Sequence, residues 1–360
     1  MLDISDYSYH LPDSYIAQKP SDPRDHSRLM ILNRQDGSIE HKRFYELKNQ
    51  LTNNDVLVLN QSKVFPARLF GNKPTGGAVE LLLTRHIKDT TWETISKPGL
   101  NIGQQILFSN GPKAAVVEKD AEHGFLHVTF ETDSDSFRTF LYEAGKTPLP
   151  PYIASTETEE ELRNEYQTVY ATQEGSSAAP TAGLHFTNDL IKELQNKGVS
   201  IEYVTLHVGP GTFQNLREEQ IRDNKLHSEW YEIDPETAIS LNKAKENGKR
   251  IIAVGTTTTR TLESAASHKN ILDTDLLTTD SLSTDLFIHP PYQFKFVDSL
   301  VTNFHLPQSS LLMLVSAFTT QPNAPDAFST FAESLIGSAY QTAIENDYRF
   351  FSFGDAMWIR

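Results

Sequence analysis

The chain has 360 residues, no cysteine and a formal net charge of −15, because 47 Asp and Glu residues outnumber 32 Lys and Arg residues. The missing cysteine excludes disulfide scaffolds, thiolate zinc sites and a cysteine nucleophile. The acidic balance argues against non-specific binding to nucleic acid, although a local basic patch remains compatible with it. The length predicts two domains or one large one. Hydrophobic residues make up 38% of the chain, which is enough for a sizeable core.

The N-terminus has acidic residues, no basic region and no apolar stretch, so it does not read as a signal peptide. The longest dense apolar run, from Leu311 to Phe318, is far shorter than the roughly 20 residues that span a membrane. We therefore expect a cytoplasmic protein without a membrane partner.

Residues 1–63 lead to a predicted buried strand at 56–59. From there to about residue 133, short β-rich runs alternate with Gly, Asn and Asp turns, which is typical of an antiparallel barrel or sandwich. A helix capped at Ser134 and ended by Gly145 should follow, and then a proline-rich linker at 148–151. The predicted strands are Val64–Phe70, Ala78–Thr84, Trp92–Ile95, Gln105–Phe108, Ala114–Glu118 and Leu126–Phe130.

After residue 185, predicted strands and helices alternate. Thr187, Asp234 and Ser309 are candidate helix caps, and another helix is predicted from about Thr258. Repeated β-α-β units indicate a mainly parallel sheet. We predict an α/β fold in which residues 1–63 and 151–360 form a mainly parallel sheet with flanking helices. An antiparallel β-barrel domain is inserted at residues 64–150.

Unusual residues follow three of these strands, at the edge where open parallel sheets bind ligands. His207 leads into a glycine turn at 209–212, a strand at 252–254 leads into Gly255 and four threonines, and another strand ends at Asn303 and His305. Free N–H groups and hydroxyls at a helix start suit a carboxylate, a phosphate or a ribose. The same residues also serve as ordinary caps and turns.

Four histidines lie in apolar or turn contexts, namely His185, His207, His227 and His305. At least one of them is expected to be functional rather than a core residue. A metal site is not predicted, because no H-E-x-x-H or H-x-H pair is present. Asp355, which follows a strand-like run, is either a turn residue or a carboxylate placed in a cleft.

Several long phrases together resemble one family, the S-adenosylmethionine:tRNA ribosyltransferase-isomerases of queuosine biosynthesis. The similarity runs through the whole chain in order. The phrases are LPDSYIAQKP with Arg24-Asp25 and Ser27-Arg28-Leu29, LVLNQSKVFPARLFG (57–71), PLPPYI (148–153), YQTVYA (166–171), AAPTAGLHFT (178–187), TLHVGPGTF (205–213), LHSEWYEI (226–233), AVGTTTTRTLES (253–264), TNFHLPQSSLLMLVSAF (302–318) and YRFFSFGDAM (348–357).

The resemblance implies an enzyme that moves the ribosyl portion of S-adenosylmethionine onto 7-aminomethyl-7-deazaguanine in a tRNA. Adenine and methionine leave, and the ribose rearranges to give epoxyqueuosine. The resemblance also implies an α/β domain with an inserted β-barrel, no metal and no bound cofactor beyond S-adenosylmethionine as cosubstrate. No obligate protein partner is inferred.

The chain departs from the family pattern at several positions. Asn101 ends a stretch that has lost basic residues, Glu165 stands where an arginine is expected, Asn224 replaces a histidine, Pro291 replaces a glycine and Asn215 replaces a proline. The lost basic residues weaken the case for RNA contacts by the barrel. None of these changes touches the three strand ends.

Site roles are assigned from spacing. His207 and His305 are the first candidates for proton transfer, and Glu229 and Asp355 are the carboxylate alternatives. For the cosubstrate we expect ribose hydroxyls or the methionine carboxylate to be held by polar residues at the strand ends, with Arg260 as the charged partner. The cosubstrate set is Gly209, Gly211, Thr212, Gly255, Thr256, Thr257, Arg260 and Asn303.

Four basic residues within the family-like phrases are candidates for tRNA phosphate contacts, or else for surface salt bridges: Arg24, Arg28, Lys63 and Arg68. Two other functions remain open at this point. One is a metal-dependent hydrolase that uses histidine and carboxylate ligands, and the other is a non-catalytic RNA-binding protein.

Overall fold

A computed structural model describes residues 2–120, 124–209, 211, 216–267 and 282–360. The strands are β1 (Arg28–Leu32), β2 (Ile39–Arg43), β3 (Asp55–Asn60), β4 (Ser62–Val64), β5 (Arg68–Asn72), β6 (Ala78–Lys88), β7 (Thr91–Lys97), β8 (Gln105–Leu107), β9 (Lys113–Asp120), β10 (Phe125–Phe130), β11 (Gln173–Ser176), β12 (Ser200–Leu206), β13 (Lys225–Glu232), β14 (Arg250–Val254), β15 (Leu282–Leu286), β16 (Ser299–Asn303) and β17 (Ala356–Ile359).

The α-helices are α1 (Leu47–Gln50), α2 (Ser134–Ala144), α3 (Glu159–Glu165), α4 (Asn188–Asn196), α5 (Glu218–Asp223), α6 (Pro235–Glu246), α7 (Thr256–Ser267), α8 (Ser310–Phe318) and α9 (Leu335–Glu345). Short 3-10 helices span Ile4–Tyr7, Asp13–Tyr15, Arg24–His26, Phe44–Glu46 and Thr181–His185.

Within the described residues, nine strands form one sheet in the order β15-β13-β12-β3-β14-β16-β17-β1-β2. The central strands β12, β3, β14 and β16 are parallel, and so are β17 and β1. At one edge, β13 pairs antiparallel with both β12 and β15. At the other edge, β2 pairs antiparallel with β1, and within the sheet β16 pairs antiparallel with β17. The sheet is thus parallel at its centre and mixed towards its edges.

Both faces of this sheet are covered, which explains why β3 reads as a continuous apolar run. Val56 and Val58 point into one core with Leu241 of α6, whereas Leu57 packs on the other face with Leu190 of α4. Successive residues of a strand point to opposite faces, so one short segment supplies both cores.

The second unit is a closed barrel that contains six strands of the described chain in the order β10-β7-β6-β5-β8-β9. Its neighbouring strands are all antiparallel. Phe137, Phe140 and Leu141 of α2 pack into the barrel core. The first predicted run, Val64–Phe70, is divided between β4 and β5, because Pro66 cannot donate a ladder hydrogen bond.

The predicted α/β fold with a mainly parallel sheet, flanking helices and an antiparallel barrel is confirmed. The domain boundaries at residues 64 and 150 stay a prediction. In the part of the chain that the structure describes, no helix combines the length and the apolar character needed to cross a membrane.

Helix starts follow the predicted capping chemistry closely. The side chains of Thr187, Asp234 and Ser309 each accept a backbone N–H in the first turn of α4, α6 and α8. Two predicted starts are wrong by one or two residues. The cap of α2 is Asp133, which accepts the Ser136 N–H at 2.9 Å, and α7 begins at Thr256 rather than Thr258.

Candidate active site

The parallel register brings the ends of the central strands to one edge of the sheet. His207 follows β12, Gly255 follows β14 and Asn303 ends β16. Asp355 reaches the same edge from the other direction, because it precedes Ala356 of β17, which pairs with Asn303. Placing these residues at a common edge does not by itself place them in a common cavity.

A cavity of about 1500 Å³, here called the central cavity, lies between this edge and the barrel. Barrel residues such as Trp92 form one side, and Trp230 of β13 forms part of the other. Single small-molecule sites usually measure roughly 300–1,000 Å³, so this space is large enough for two reactants. The candidate residues from the sequence analysis that line it are His207, Gly209, Gly211, His227, Glu229 and Arg260.

The imidazole of His207 is held on two sides. Its Nδ1 lies 2.8 Å from the Ser62 hydroxyl, and its ring stacks on Trp230 with centroids 4.8 Å apart. Burial lowers the pKa of His207 to about 4, so the ring is neutral at pH 7. Ser62 occupies Nδ1, and Nε2 has no hydrogen-bond partner among the described residues.

Gly175 of β11 lies directly against this ring. A Cβ atom added at Gly175 would be only 2.4 Å from His207 Nε2, so alanine cannot fit without moving the imidazole. We expect Gly175→Ala to lower kcat about 10- to 100-fold by displacing the ring, as small misplacements of reacting groups do. Steady-state kinetics with a folded variant test this. Unchanged kcat would show that the position of the ring does not matter.

Glu229 and Arg260 form a buried ion pair in the cavity wall, each with a side chain only 7% exposed. Glu229 also accepts the Gly209 N–H at 3.0 Å, and Arg260 Nε donates to the Leu286 carbonyl at 3.1 Å. The pair therefore ties the glycine turn to α7 and β15. The Arg260 guanidinium already bonds to protein groups. Its expected pairing with a methionine carboxylate therefore stays a prediction.

His305 is buried and is not part of the described wall of the central cavity. Its Nε2 lies 2.9 Å from the Thr302 hydroxyl, and its backbone N–H donates to the Tyr340 hydroxyl at 2.9 Å. Burial lowers its pKa to about 3. The structure thus separates the two histidines that the sequence suggested as equivalent candidates.

Asn303 belongs to a buried polar network behind the sheet edge. Its Oδ1 accepts the Thr181 hydroxyl at 2.9 Å, and its amide donates to His185 Nε2 at 3.2 Å. His185 Nδ1 lies 2.8 Å from the Ser27 hydroxyl, and burial lowers the pKa of this histidine to about 3. The network joins three of the family-like phrases, which explains why they contain polar residues at buried positions.

The remaining candidates also lie behind the wall. The Thr257 hydroxyl accepts the Asn60 amide at 3.2 Å, next to the buried Thr256 and Gly255. Asp355 accepts the backbone N–H groups of Arg28 at 2.9 Å and Arg349 at 2.8 Å, so it serves as a turn carboxylate in this structure. Thr212 lies outside the described residues.

The two fully buried histidines predict loss of stability in acid. Each has an ordinary pKa of 6.5 in the unfolded chain and about 3 in the fold, so below pH 6.5 only the unfolded state takes up the proton. The free energy of unfolding should therefore fall by up to about 1.4 kcal/mol per pH unit per histidine from pH 6.5 down to the folded pKa. Urea unfolding at pH 7 and pH 5 tests this.

His305→Gln should reduce that pH dependence, because it removes one of the two buried imidazoles. A wild-type unfolding free energy that does not change between pH 7 and pH 5 would contradict the prediction.

Two of the four basic candidates share a second cavity, of about 430 Å³, which Arg24 and Lys63 line together. The other two are engaged elsewhere. The Arg28 guanidinium lies 3.8 Å from the centre of the Tyr348 ring, and Arg68 donates to the Leu149 carbonyl at 2.9 Å. The RNA-contact role of all four stays a prediction.

Sequence reasoning missed Ser62, Gly175 and Trp230, the three residues that hold His207. The available signals were a polar side chain two residues after β3 and an aromatic residue directly before Tyr231. The departure at Asn224 has a local explanation: this residue ends α5 with φ of 54°, a left-handed conformation that asparagine tolerates, and its Oδ1 lies 2.7 Å from His289 Nε2.

Among the described residues, no three His, Asp or Glu side chains are gathered as ligands for a metal ion. The prediction that the protein needs no metal stays a prediction.

Known proteins resemble this chain over its whole length. The family described as queuosine biosynthesis protein matches residues 4–359. The S-adenosylmethionine:tRNA ribosyltransferase-isomerase of Halothermothrix orenii is 45% identical over 361 aligned positions, covering 99% of this chain and 100% of the relative. The crystal structure of the S-adenosylmethionine tRNA ribosyltransferase of Thermotoga maritima is 35% identical, with a TM-score of 0.52, and covers 99% of this chain and 100% of that one. The chain therefore belongs to the queuosine biosynthesis protein family.

Proposed function

We propose that this chain is an enzyme, an S-adenosylmethionine-dependent tRNA ribosyltransferase-isomerase. It transfers the ribosyl portion of S-adenosylmethionine onto 7-aminomethyl-7-deazaguanine in tRNA and isomerises it, releasing adenine and methionine and leaving epoxyqueuosine. The observation that carries this proposal is the 45% identity to a relative of that name across the full length of both chains. We propose a cytoplasmic enzyme, because its proposed substrate is a tRNA.

The central cavity is the proposed place of reaction, because it has room for the cosubstrate and for one base that leaves the anticodon loop. Bases of single-stranded loops can be splayed out at low cost and stacked on aromatic rings. Trp92, Phe125 and Trp230 line the cavity and offer such surfaces.

His207 is the proposed general base. A sulfonium acidifies the neighbouring C5′ hydrogens, and a neutral imidazole can take one of those protons. When Nδ1–H donates to Ser62, the lone pair of Nε2 is free to accept the proton. The protonated ring can then return the proton to the departing adenine.

Glu229 and Arg260 are proposed to shape the cosubstrate pocket by fixing the turn at Gly209 and Gly211. His305 and Asp355 are the alternative candidates for proton transfer should His207 not be the base, and cosubstrate contacts remain part of the proposal for Thr212, Gly255, Thr256, Thr257 and Asn303. Those of these residues that the structure describes do not line the central cavity. Their contact with the cosubstrate therefore requires the cavity to extend beyond its present wall. S-adenosylmethionine acts as a consumed cosubstrate.

The direct test is mass analysis of tRNA that carries 7-aminomethyl-7-deazaguanine after incubation with the protein and S-adenosylmethionine. We expect the modified nucleoside to gain the mass of the epoxycyclopentanediol group, with one adenine and one methionine released per event. Release of methionine without a change in the tRNA would contradict the proposal. No observation of the structure favours the metal-dependent hydrolase or the non-catalytic RNA-binding protein.

A further inference from the structure

The second cavity lies where the chain enters the barrel. Lys63, Val64 and Phe65 form one side of it, and residues 163, 164 and 166–169 form another. Phe65 lines this cavity and the central cavity, so the two spaces are neighbours. The mechanism proposed above makes no use of this cavity.

The wall of the second cavity is cationic. It contains Arg24, Lys63 and Arg163, and none of the described residues that form it is an Asp or Glu. Arg24 already donates to the Gln167 carbonyl at 2.6 Å, and Arg163 forms an ion pair with Glu159. Lys63, by contrast, has no ion pair with any residue that the structure describes, which leaves its ammonium group available for an anion.

One hydroxyl in the same wall, that of Thr168, points to an absent partner. Thr168 is only 4% exposed, and its hydroxyl has no hydrogen-bond partner among the described residues. A buried hydroxyl without a partner is unfavourable, so such groups usually mark a place where a ligand or an ordered water completes the bonding.

We propose that the second cavity binds a backbone phosphate of the tRNA, adjacent to the nucleotide whose base enters the central cavity. This inference rests on the proposed function. Lys63 pairs with the phosphate, Arg24 and Arg163 add positive potential, and Thr168 supplies a hydrogen bond directly or through water. The half-buried side chain of Lys63 and the exposed Val169 place the mouth of the cavity at the surface, where an RNA backbone can run.

The test compares Lys63→Gln and Thr168→Val with the wild-type enzyme in tRNA binding at several salt concentrations. For Lys63→Gln we expect about tenfold weaker tRNA binding, and a salt dependence of log K that is shallower by about one phosphate contact. Thr168→Val should weaken tRNA binding. The melting temperature of this variant protein should stay equal to that of the wild type or rise, because the removed hydroxyl had no partner in the free protein. The KM for S-adenosylmethionine should not change.

Two further variants complete the test, one as a control and one as a change expected to act in the opposite direction. Lys192→Gln removes the same charge from an exposed position of α4 that lines neither cavity, and it should leave tRNA binding unchanged. Glu165→Gln removes a carboxylate that interacts with Arg24, and it should strengthen tRNA binding.

A methionine carboxylate shares the anionic chemistry of a phosphate, and the same measurements distinguish them. A raised KM for S-adenosylmethionine with unchanged tRNA affinity would overturn the phosphate assignment. Unchanged tRNA binding by both cavity variants would overturn it as well. Failure of the wild-type protein to modify tRNA would count against the proposed function, whereas the binding measurements would still decide the role of the cavity.

Discussion

Replacing His207 by alanine is expected to lower kcat by roughly 10²- to 10⁴-fold, the usual contribution of a positioned general base. The reason is geometric: His207 is the histidine whose ring is stacked on Trp230, bonded to Ser62 and exposed to the central cavity. Single-turnover measurement of adenine release isolates the chemical step. Affinity for S-adenosylmethionine should change far less than kcat, because the neutral ring contributes little to binding a cation.

His305→Ala is the matched control, since both histidines follow strands of the same sheet edge. This variant should unfold at a lower temperature, because it leaves the Thr302 hydroxyl without its partner at 2.9 Å. The folded fraction should keep most of its activity. If His305→Ala abolished adenine release in a folded protein while His207→Ala did not, the assignment of the base would be reversed.

The sheet edge could be predicted from sequence because it depends on local patterns. Continuous apolar runs such as β3 predict buried parallel strands, and the residues after parallel strands meet at one edge by topology alone. That reasoning placed His207, Gly255 and Asn303 correctly relative to the sheet.

Which edge residues face a cavity could not be predicted in the same way, because it depends on what covers each strand end. The backbone N–H of His305 bonds to Tyr340 of α9, and the ring is closed off in the core, whereas His207 faces the space under the barrel. The helix that contains Tyr340 lies 35 positions along the chain, and no local pattern reports that packing.

The supporting residues of the site were missed for the same reason. Ser62 and His207 are 145 positions apart, and their hydrogen bond exists only because β3 and β12 are neighbours in the sheet. Glu229 is a carboxylate candidate from its sequence context, but no local motif indicates that it forms an ion pair with Arg260. Long-range pairs of this kind follow from strand order, which short motifs do not encode.

Replacing Arg260 by alanine should lower the free energy of unfolding by about 3–5 kcal/mol, because it leaves the buried charge of Glu229 uncompensated. The variant also removes the donor to the Leu286 carbonyl. Urea unfolding followed by circular dichroism measures the loss. Arg222→Ala is the control: its ion pair with Asp223 is exposed, with side chains 73% and 54% accessible, so its removal should cost no more than about 1 kcal/mol.

The double variant Arg260→Met with Glu229→Gln separates charge from packing. Removing both charges takes away the desolvation cost of each ion, so this protein should be more stable than Arg260→Ala alone and close to the wild type. Its activity should nevertheless remain low, because a glutamine holds the Gly209 N–H less strongly than a carboxylate does and the glycine turn loses its anchor to α7. Full activity in the double variant would mean that the pair is needed for folding and has no part in shaping the cosubstrate pocket.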